Sequence, residues 1–425
     1  MIKDLKSYHL LPRLNWIFGK TMIDLIFKLS FRNRLFNLRD TTLVVTMIAV
    51  AISMMIALAG LYDGMTQSMV ESTKRSDSGD VSIYAKEYRL NKELKNSISN
   101  APALLQKISK MEGVEAVSYR VCVDGLISTA KHSAFASIYG VDLASEESFG
   151  SFSKFLKYGE IKLDKRGVIL SVELAKKLKT KIGSKIIFTT QDSSREINSI
   201  ALKVRGVVQT TNMTLDKNAL WVDREVAANF LNIPTTTATQ IAIMSNRPTL
   251  LLQSLEQSYP KLDVKSFLEL YPMIKQMQDM MGIFNSVSFV IVMLVVFIGI
   301  FGVMYVSILK RIREFGIMIS IGMNYSKIRL QIITESLILA LIGYGLGATL
   351  GYGILSYLSH YGLDLGGYAT ALESFGMNRY IYATIDSAYF TNTFWAIILS
   401  AVMSVVIPLR KIKNSKPVDV IKANE

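Results

Sequence analysis

The sequence predicts an α-helical membrane protein with four transmembrane helices plus a large α+β extracytoplasmic domain between spans one and two. Three observations predict it: four long stretches almost free of charge, basic clusters beside them, and a polar, β-rich segment between the first two. Thr41–Leu61, Gly282–Leu309 and Ser387–Leu409 contain no Asp, Glu, Lys, Arg or His, and Leu330–Tyr357 contains only Glu335. Each reaches the roughly 20 residues a helix needs to cross about 30 Å of hydrocarbon, where backbone groups must bond within their own segment. Half of the 425 residues are hydrophobic, and mean hydropathy is +0.31. That balance weighs against four buried helices of a large soluble protein.

The net charge of +14 raises the question of nucleic acid, and its distribution answers it. Residues 1–40 carry +5, residues 310–329 carry +4 and residues 410–425 carry +3, whereas the loop 358–386 holds one base, Arg379, and three acids. Cytoplasmic segments are enriched in Lys and Arg. Both termini and the 310–329 loop are therefore expected in the cytoplasm and the large domain in the periplasm or at the cell exterior, with no nucleic-acid partner required. The first span follows 40 residues and exceeds the usual apolar core of a signal peptide, about 7–15 residues, so it reads as a retained anchor despite Ala57-Leu58-Ala59. The single cysteine, Cys122, excludes an internal disulfide framework. His9, His132 and His360 have no ligand spacing.

The predicted organisation is, in order, a cytoplasmic amphipathic helix (1–40), span one (41–62), the periplasmic domain with stalk helices (63–281) and span two (282–309). A cytoplasmic coupling helix (310–329), span three (330–357), a periplasmic loop (358–386), span four (387–409) and a cytoplasmic tail (410–425) follow. Leu14, Phe18, Met22, Leu25 and Leu29 recur at helical spacing opposite Lys20, Asp24, Lys28 and Arg32, the pattern of a helix lying on a membrane surface. In the large segment, Val81–Tyr84, Phe135–Tyr139, Lys185–Thr190, Leu202–Val208 and Gln240–Met244 read as strands, rich in β-branched and aromatic residues. Pro102–Met111, Val172–Leu178 and Arg224–Leu231 read as short helices. Two subdomains are expected, one from 80–140 with 235–265 and the other from 141–234. The stretches 62–78 and 266–281 extend the first two spans as stalks.

Gly343, Gly347 and Gly351 recur every four residues in span three and line one helix face, which permits close backbone approach of another helix. Glu335 is the one carboxylate inside a span. Such groups are costly and flag function, and two roles stand open: pairing with a base of the 310–329 loop, or proton relay. A phosphate cradle ends in Gly-Lys-Ser/Thr after a strand. The nearest approach, Gly19-Lys20-Thr21, lacks the first glycine and falls inside the amphipathic helix. No catalytic constellation, metal-ligand set or cofactor motif accompanies it. Energy for any work is expected from another subunit or an ion gradient.

Arg311–Gly322 reads RIREFGIMISIG and Ile328–Gly347 reads IRLQIITESLILALIGYGLG; the end of the chain reads IPLRKIKNSKPVDVIKANE. These stretches resemble the signature of the FtsX/MacB-type ABC permeases, in which the short loop helix docks onto the ATPase. Asp63-Gly64-Met65, Gly79–Arg89, Tyr139–Asp142 and Ser171–Leu178 place the lipoprotein-releasing LolC/LolE branch nearest. The resemblance implies a non-catalytic permease subunit of the bacterial inner membrane, with ATP and magnesium bound by ABC ATPase subunits. It also implies a second permease, a copy or a paralogue, together with lipoprotein cargo and a periplasmic lipoprotein carrier.

Arg311, Arg313, Glu314, Phe315, Gly316 and Gly322 are then the expected ATPase-coupling residues, and replacing Glu314 and Phe315 by Ala is expected to uncouple transport while leaving insertion intact. Met47, Met54, Met55, Met277, Met281 and Met293 are candidates for a lipid-accepting groove, methionine being adaptable to irregular apolar ligands, or are packing residues. In one permease of the lipoprotein-releasing branch a hook-like loop docks the carrier; the matching stretch here, Gln191–Ile200, is short and lacks proline. The alternative functions are MacB-like export of a peptide, toxin or drug through an adaptor, and FtsX-like regulation of a cell-wall enzyme.

Overall fold

The computed structural model describes residues 38–210, 212–368 and 380–414. The expected amphipathic helix, Arg379 and the tail beyond Asn414 lie outside the described residues. The chain divides into two compact units. One gathers the residues up to Gly64, Met280–Leu363 and those from Tyr382 onward; the other is Met65–Asp279 with Asp364–Ile381.

Helix α1, Leu38–Thr73, contains the first apolar stretch and runs 36 residues without a break. A π-helical turn, Lys74–Ser78, follows it. The large unit then proceeds through β1 (Val81–Ala85), α2 (Ala101–Ile108), β2 (Val114–Ser128), β3 (Ser133–Val141), α3 (Leu143–Gly150), β4 (Leu156–Gly159) and β5 (Gly167–Ser171). Next come α4 (Val172–Lys177), β6 (Lys185–Gln191), β7 (Ile197–Val208), α5 (Met213–Asn218), β8 (Ala219–Asp223) and α6 (Arg224–Phe230). The unit is completed by β9 (Gln240–Ser245), α7 (Pro248–Ser258) and β10 (Leu262–Ser266). Every residue of β5 and β9 is buried, the polar Ser171, Gln240 and Ser245 included, as befits strands with a neighbour on each side. Asp142, Asn212 and Asp223 cap α3, α5 and α6 by accepting from main-chain N–H groups of the first turn.

The strands follow the order β10-β1-β9-β2-β3-β8-β5-β7-β4, and β6 bridges β2 and β7. The path β2-β3-β8-β5-β7-β6 therefore returns to β2 as a closed ring, which removes open strand edges along it. The first half of β2 pairs with β9 from Val114 to Arg120. Its second half, from Val121, pairs with β3, and Leu126–Ser128 also pair with β6. The division between subdomains thus falls inside β2, near residue 120, and β3 joins the ring rather than the first subdomain. One core collects Ile83, Ile108, Ile243, Leu255 and Val264, with α2 and α7 contributing. A second collects Val123, Ile138, Leu170, Phe188, Val204 and Leu220, with α4 and α6 contributing.

The remaining helices are α8 (Pro272–Lys310), α9 (Ile312–Ser320), α10 (Tyr325–Tyr361), α11 (Ser387–Ser404) and α12 (Val406–Asn414). Among the described residues, four helices are long and apolar enough to cross a membrane, namely α1, α8, α10 and the stretch Ser387–Arg410. Gly343, Gly347 and Gly351 are buried in α10 against α1. A Cβ on Gly347 would stand 2.8 Å from the Ala49 carbonyl oxygen and 2.9 Å from Ile52 Cβ, and one on Gly343 would stand 2.7 Å from Ile48 Cγ2. Gly345, on the other side, meets nothing within 4 Å. Helix α10 is further tied to α11 by Ser336 Oγ donating to the Ala401 carbonyl at 2.7 Å and by the Tyr344 hydroxyl donating to the Phe390 carbonyl at 3.0 Å.

Gly347→Val should force α1 and α10 apart and lower the midpoint of thermal unfolding in mild detergent, an overpacking cost of about 1–3 kcal/mol. Gly345→Ala should leave that midpoint unchanged or slightly raised. Equal effects of the two substitutions would show that the ladder is not a packing surface.

Candidate functional site

The corner between α8 and α9 is built on one buried charge. Glu335 on α10 is 2% exposed, and hydrocarbon around it offers no solvation. Arg311 supplies it: Nη1 donates to both carboxylate oxygens of Glu335, at 3.0 and 3.1 Å. Gln331, one turn earlier on α10, donates from Nε2 to the same carboxylate at 3.4 Å. Arg311 also reaches Glu314 with Nε at 3.3 Å. Of the two roles left open for Glu335, the structure presents the ion pair with the 310–329 loop.

Arg311 is the one residue between α8 and α9, and its φ of −108° and ψ of 11° break the helix there. The pair with Glu335 therefore sets the direction in which α9 leaves. Beneath Arg311, the Phe315 ring lies 5.0 Å from the guanidinium carbon, a cation–π contact. Phe315 is 1% exposed and belongs to the core shared by the spans. The sequence places Phe315 on the contact face of α9; the structure puts it inside, because Arg311 folds over it. Gly316 is buried beside it. Gly322 ends the segment with a φ of 97°, a conformation that favours glycine. Asn324 then caps α10 by accepting from Ser326 N at 3.1 Å.

What α9 leaves outward is a mixed face. Arg313 and Glu314 are exposed, and Ile317 and Ile321 are 47% and 82% exposed. Ile321 gave no signal in the sequence beyond its place in the resembling stretch. Large apolar side chains held in the open beside charges mark a surface for a protein partner or for lipid.

A second feature lies between α1, α8 and α11, toward the ends of these helices nearest residues 63–281 in sequence. It is a groove of about 570 Å3 lined by Met55, Ala59, Phe289, Tyr389, Asn392 and Trp395 among others. Of the six candidate methionines, only Met55 lines it. Met293 is buried, Met54 is exposed, and Met277 and Met281 are half-buried. Met47 packs where Gly299 leaves room. The sequence missed the groove because its lining is aromatic and polar as much as sulfur-containing. Near it, the Tyr389 hydroxyl donates to the Asp63 carboxylate, and Thr384 N donates to the Gly60 carbonyl at 3.0 Å.

Within the stretch Gln191–Ile200, residues 192–196 form the tight connection between β6 and β7, and the rest is paired in those two strands. Asp192 N donates to the Glu196 carbonyl at 2.9 Å and Ser193 N to the Leu231 carbonyl at 3.0 Å, which hold the turn against α6. It does not project as a hook.

Two family models match the chain. The MacB-like periplasmic core domain covers residues 41–254, and the FtsX-like permease C-terminal covers residues 286–417. The macrolide export ATP-binding/permease protein MacB of Escherichia coli is 23% identical over 322 residues, 73% of this chain and 49% of that protein. The protein of the same name from Haemophilus ducreyi is 26% identical over 196 residues, 42% of this chain and 28% of that protein. The chain thus spans about half the length of the first of these curated relatives, or less. Among solved structures, the periplasmic region of MacB from Actinobacillus actinomycetemcomitans aligns with 46% of this chain and 92% of its own, at 16% identity and a TM-score of 0.33. The extracellular domain of the transporter YknZ from Gram-positive bacteria aligns with 44% of this chain and 98% of its own, at 12% identity and a TM-score of 0.31.

Removing one partner of a buried ion pair strands the other. Arg311→Met should destabilise the chain by about 3 kcal/mol, the lower end of the usual range because Arg311 is partly reachable by water. The double variant Arg311→Met, Glu335→Met should recover most of that loss in thermal unfolding. Equal losses in the single and double variants would mean the pair does not hold the corner.

Proposed function

We propose a lipid-handling transport function for this chain, which belongs to the FtsX/MacB-type family of ABC transporter permeases. ATP would be bound and hydrolysed, with magnesium, on separate ATPase subunits that dock on the outward face of α9. The single observation that carries the coupling half of this reading is the geometry of that face: Glu314, Ile317 and Ile321 point outward, while Arg311 pins the same helix to α10 through Glu335. A push on α9 is then delivered to α8 and α10 and is not absorbed by a loose loop. Helices α1 and α8 are each unbroken along the chain from an apolar stretch into residues of the large unit. Long rigid helices are elements that carry movement between two states.

For the cargo, the groove between α1, α8 and α11 supports a lipidated protein taken from the outer leaflet and released to a periplasmic carrier. Its apolar wall of Met55, Ala59, Phe289 and Trp395 suits acyl chains, and Asn392 and Tyr389 suit the ester and amide groups at their head. In this reading the chain sits in the inner membrane with its termini cytoplasmic and pairs with a second permease, a copy or a paralogue. A second reading, export through a periplasmic adaptor, is favoured by the likeness to MacB, named for macrolide export, across 73% of the chain.

Purification of the tagged chain in mild detergent should bring down an ABC ATPase and triacylated lipoproteins. An adaptor with the ATPase, and no lipoprotein, would move the function to export. Ile317→Glu with Ile321→Glu should abolish ATPase recovery without lowering the thermal midpoint. By contrast, Phe315→Ala should destabilise the chain by about 3–5 kcal/mol, as for other buried aromatic truncations. An ATPase retained by the double glutamate variant would remove α9 as the docking face. Ala396 also lines the groove, and Ala396→Trp, which fills it, should block lipoprotein release while ATPase recovery stays at the wild-type level.

A further inference from the structure

The large unit contains a buried polar junction that the transport reading does not use. Asp77 lies in the π-helical turn that ends α1, and Tyr271 immediately precedes α8. The Tyr271 hydroxyl donates to the Asp77 carboxylate, and Asn212, which caps α5, donates from Nδ2 to the phenol oxygen at 3.2 Å. Burial and the Asp77 charge push the Tyr271 hydroxyl well above its ordinary range, so it remains a donor.

Arg120 on β2 stands behind Asp77. It is 1% exposed. Its Nε and Nη2 each donate to one oxygen of Glu146 on α3, both at 2.6 Å. Its Nη1 donates to the main-chain carbonyl of Asp77 and stands 3.4 Å from the carboxylate. Ser118 Oγ completes Glu146 at 2.7 Å, and Gln240 Nε2 stands 3.5 Å from the Asp77 carboxylate. The guanidinium also lies 5.1 Å from the Phe149 ring centre.

The turn that presents Asp77 is itself fixed. Lys74 pairs with Asp80 at 2.7 Å. Gly79 follows at a φ of 64°, with the Ile243 carbonyl where a Cβ would stand. A buried arginine is tolerated where its donors are matched with good geometry, and planar guanidinium groups suit such bidentate contacts. Here Arg120 on β2 is matched by Asp77 at the end of α1 and by Glu146 on α3, and Tyr271 at the start of α8 joins them through the same Asp77.

From this junction we infer that Arg120 and Tyr271 are positioning residues that fasten the end of α1 to the start of α8 through Asp77. Displacement of either helix then moves the other and β2 together. The link stands on the contacts alone; its service to transport rests on the coupling reading above.

The test uses the full chain with its co-purified ATPase in lipid nanodiscs, with spin labels at the exposed positions Gln67 and Lys275. Tyr271→Phe removes one oxygen and keeps the buried ring. It should broaden the distance distribution between the labels and speed amide exchange of Lys74–Asp80 by about tenfold, the scale set by one net hydrogen bond. Arg120→Lys keeps the charge but cannot make the bidentate contact, and it should broaden the distribution as well, although residue 120 lies in neither helix. Wild-type widths and exchange in both variants would overturn the inference. A distance that ATP does not shift in the wild type, with Tyr271→Phe still broadened, would uphold the link and remove the coupling reading.

Discussion

A carboxylate inside an apolar bundle is tolerable only with a partner, and Glu335 has one that stands at a corner of the chain. Taking the two charges out of water costs several kcal/mol per ion, which their attraction offsets only where geometry is good. Two contacts near 3 Å from one nitrogen of Arg311 meet that condition. Arg311 is the hinge residue between α8 and α9, so satisfying Glu335 also fixes where α9 goes. Phe315 is drawn under the guanidinium and into the core. The outward set of Glu314, Ile317 and Ile321 follows from that one choice, since a helix of nine residues has only one face left.

A second constraint acts within the spans, where the hydrophobic effect does not distinguish lipid from another helix. Association there depends on how closely surfaces approach. The glycine face of α10 brings it within backbone contact of Ala49 on α1, and hydroxyl-to-carbonyl bonds from Ser336 and Tyr344 hold α11 on another side. By contrast, α8 exposes Ile283, Val287, Val290, Leu294 and Ile298 along its length. A face of that kind meets lipid or another span.

The four apolar helices were legible because hydrocarbon imposes both length and composition. The glycine spacing was legible as a face, although nothing in it named α1 as the partner. The inward turn of Phe315 was not legible: Phe315, Ile317, Met318, Ile319 and Ile321 put apolar residues all around α9, so periodicity could not choose a side. Methionines gave no reliable groove for the same reason, since each suits packing, lipid and ligand alike. The division of the large domain was hidden by β2, a strand of 15 residues that changes partners midway with no break in its pattern. The Arg120 junction was beyond reach, because it joins residues 77, 120, 146 and 271, far apart in sequence and polar in ways that read as surface.

Helix α8 joins the two polar sites along the chain. It begins directly after Tyr271 and ends directly before Arg311, and it is 39 residues long, or roughly 58 Å at 1.5 Å per residue. Each end is therefore adjacent to a polar anchor made with residues distant in sequence. Between them the helix contains charged residues only near its start, Lys275 and Asp279, and at its last position, Lys310. An apolar rod between two polar anchors resists sliding along its axis, because either anchor would have to leave its partner buried and unpaired. It resists rotation less, since much of its surface is exposed apolar side chain, Ile283, Val287, Val290, Leu294 and Ile298 among them. If ATPase docking on α9 moves this helix, as proposed, tilting and turning about its ends would cost fewer buried contacts than sliding, because only sliding would strand the partners of Glu335 or Asp77.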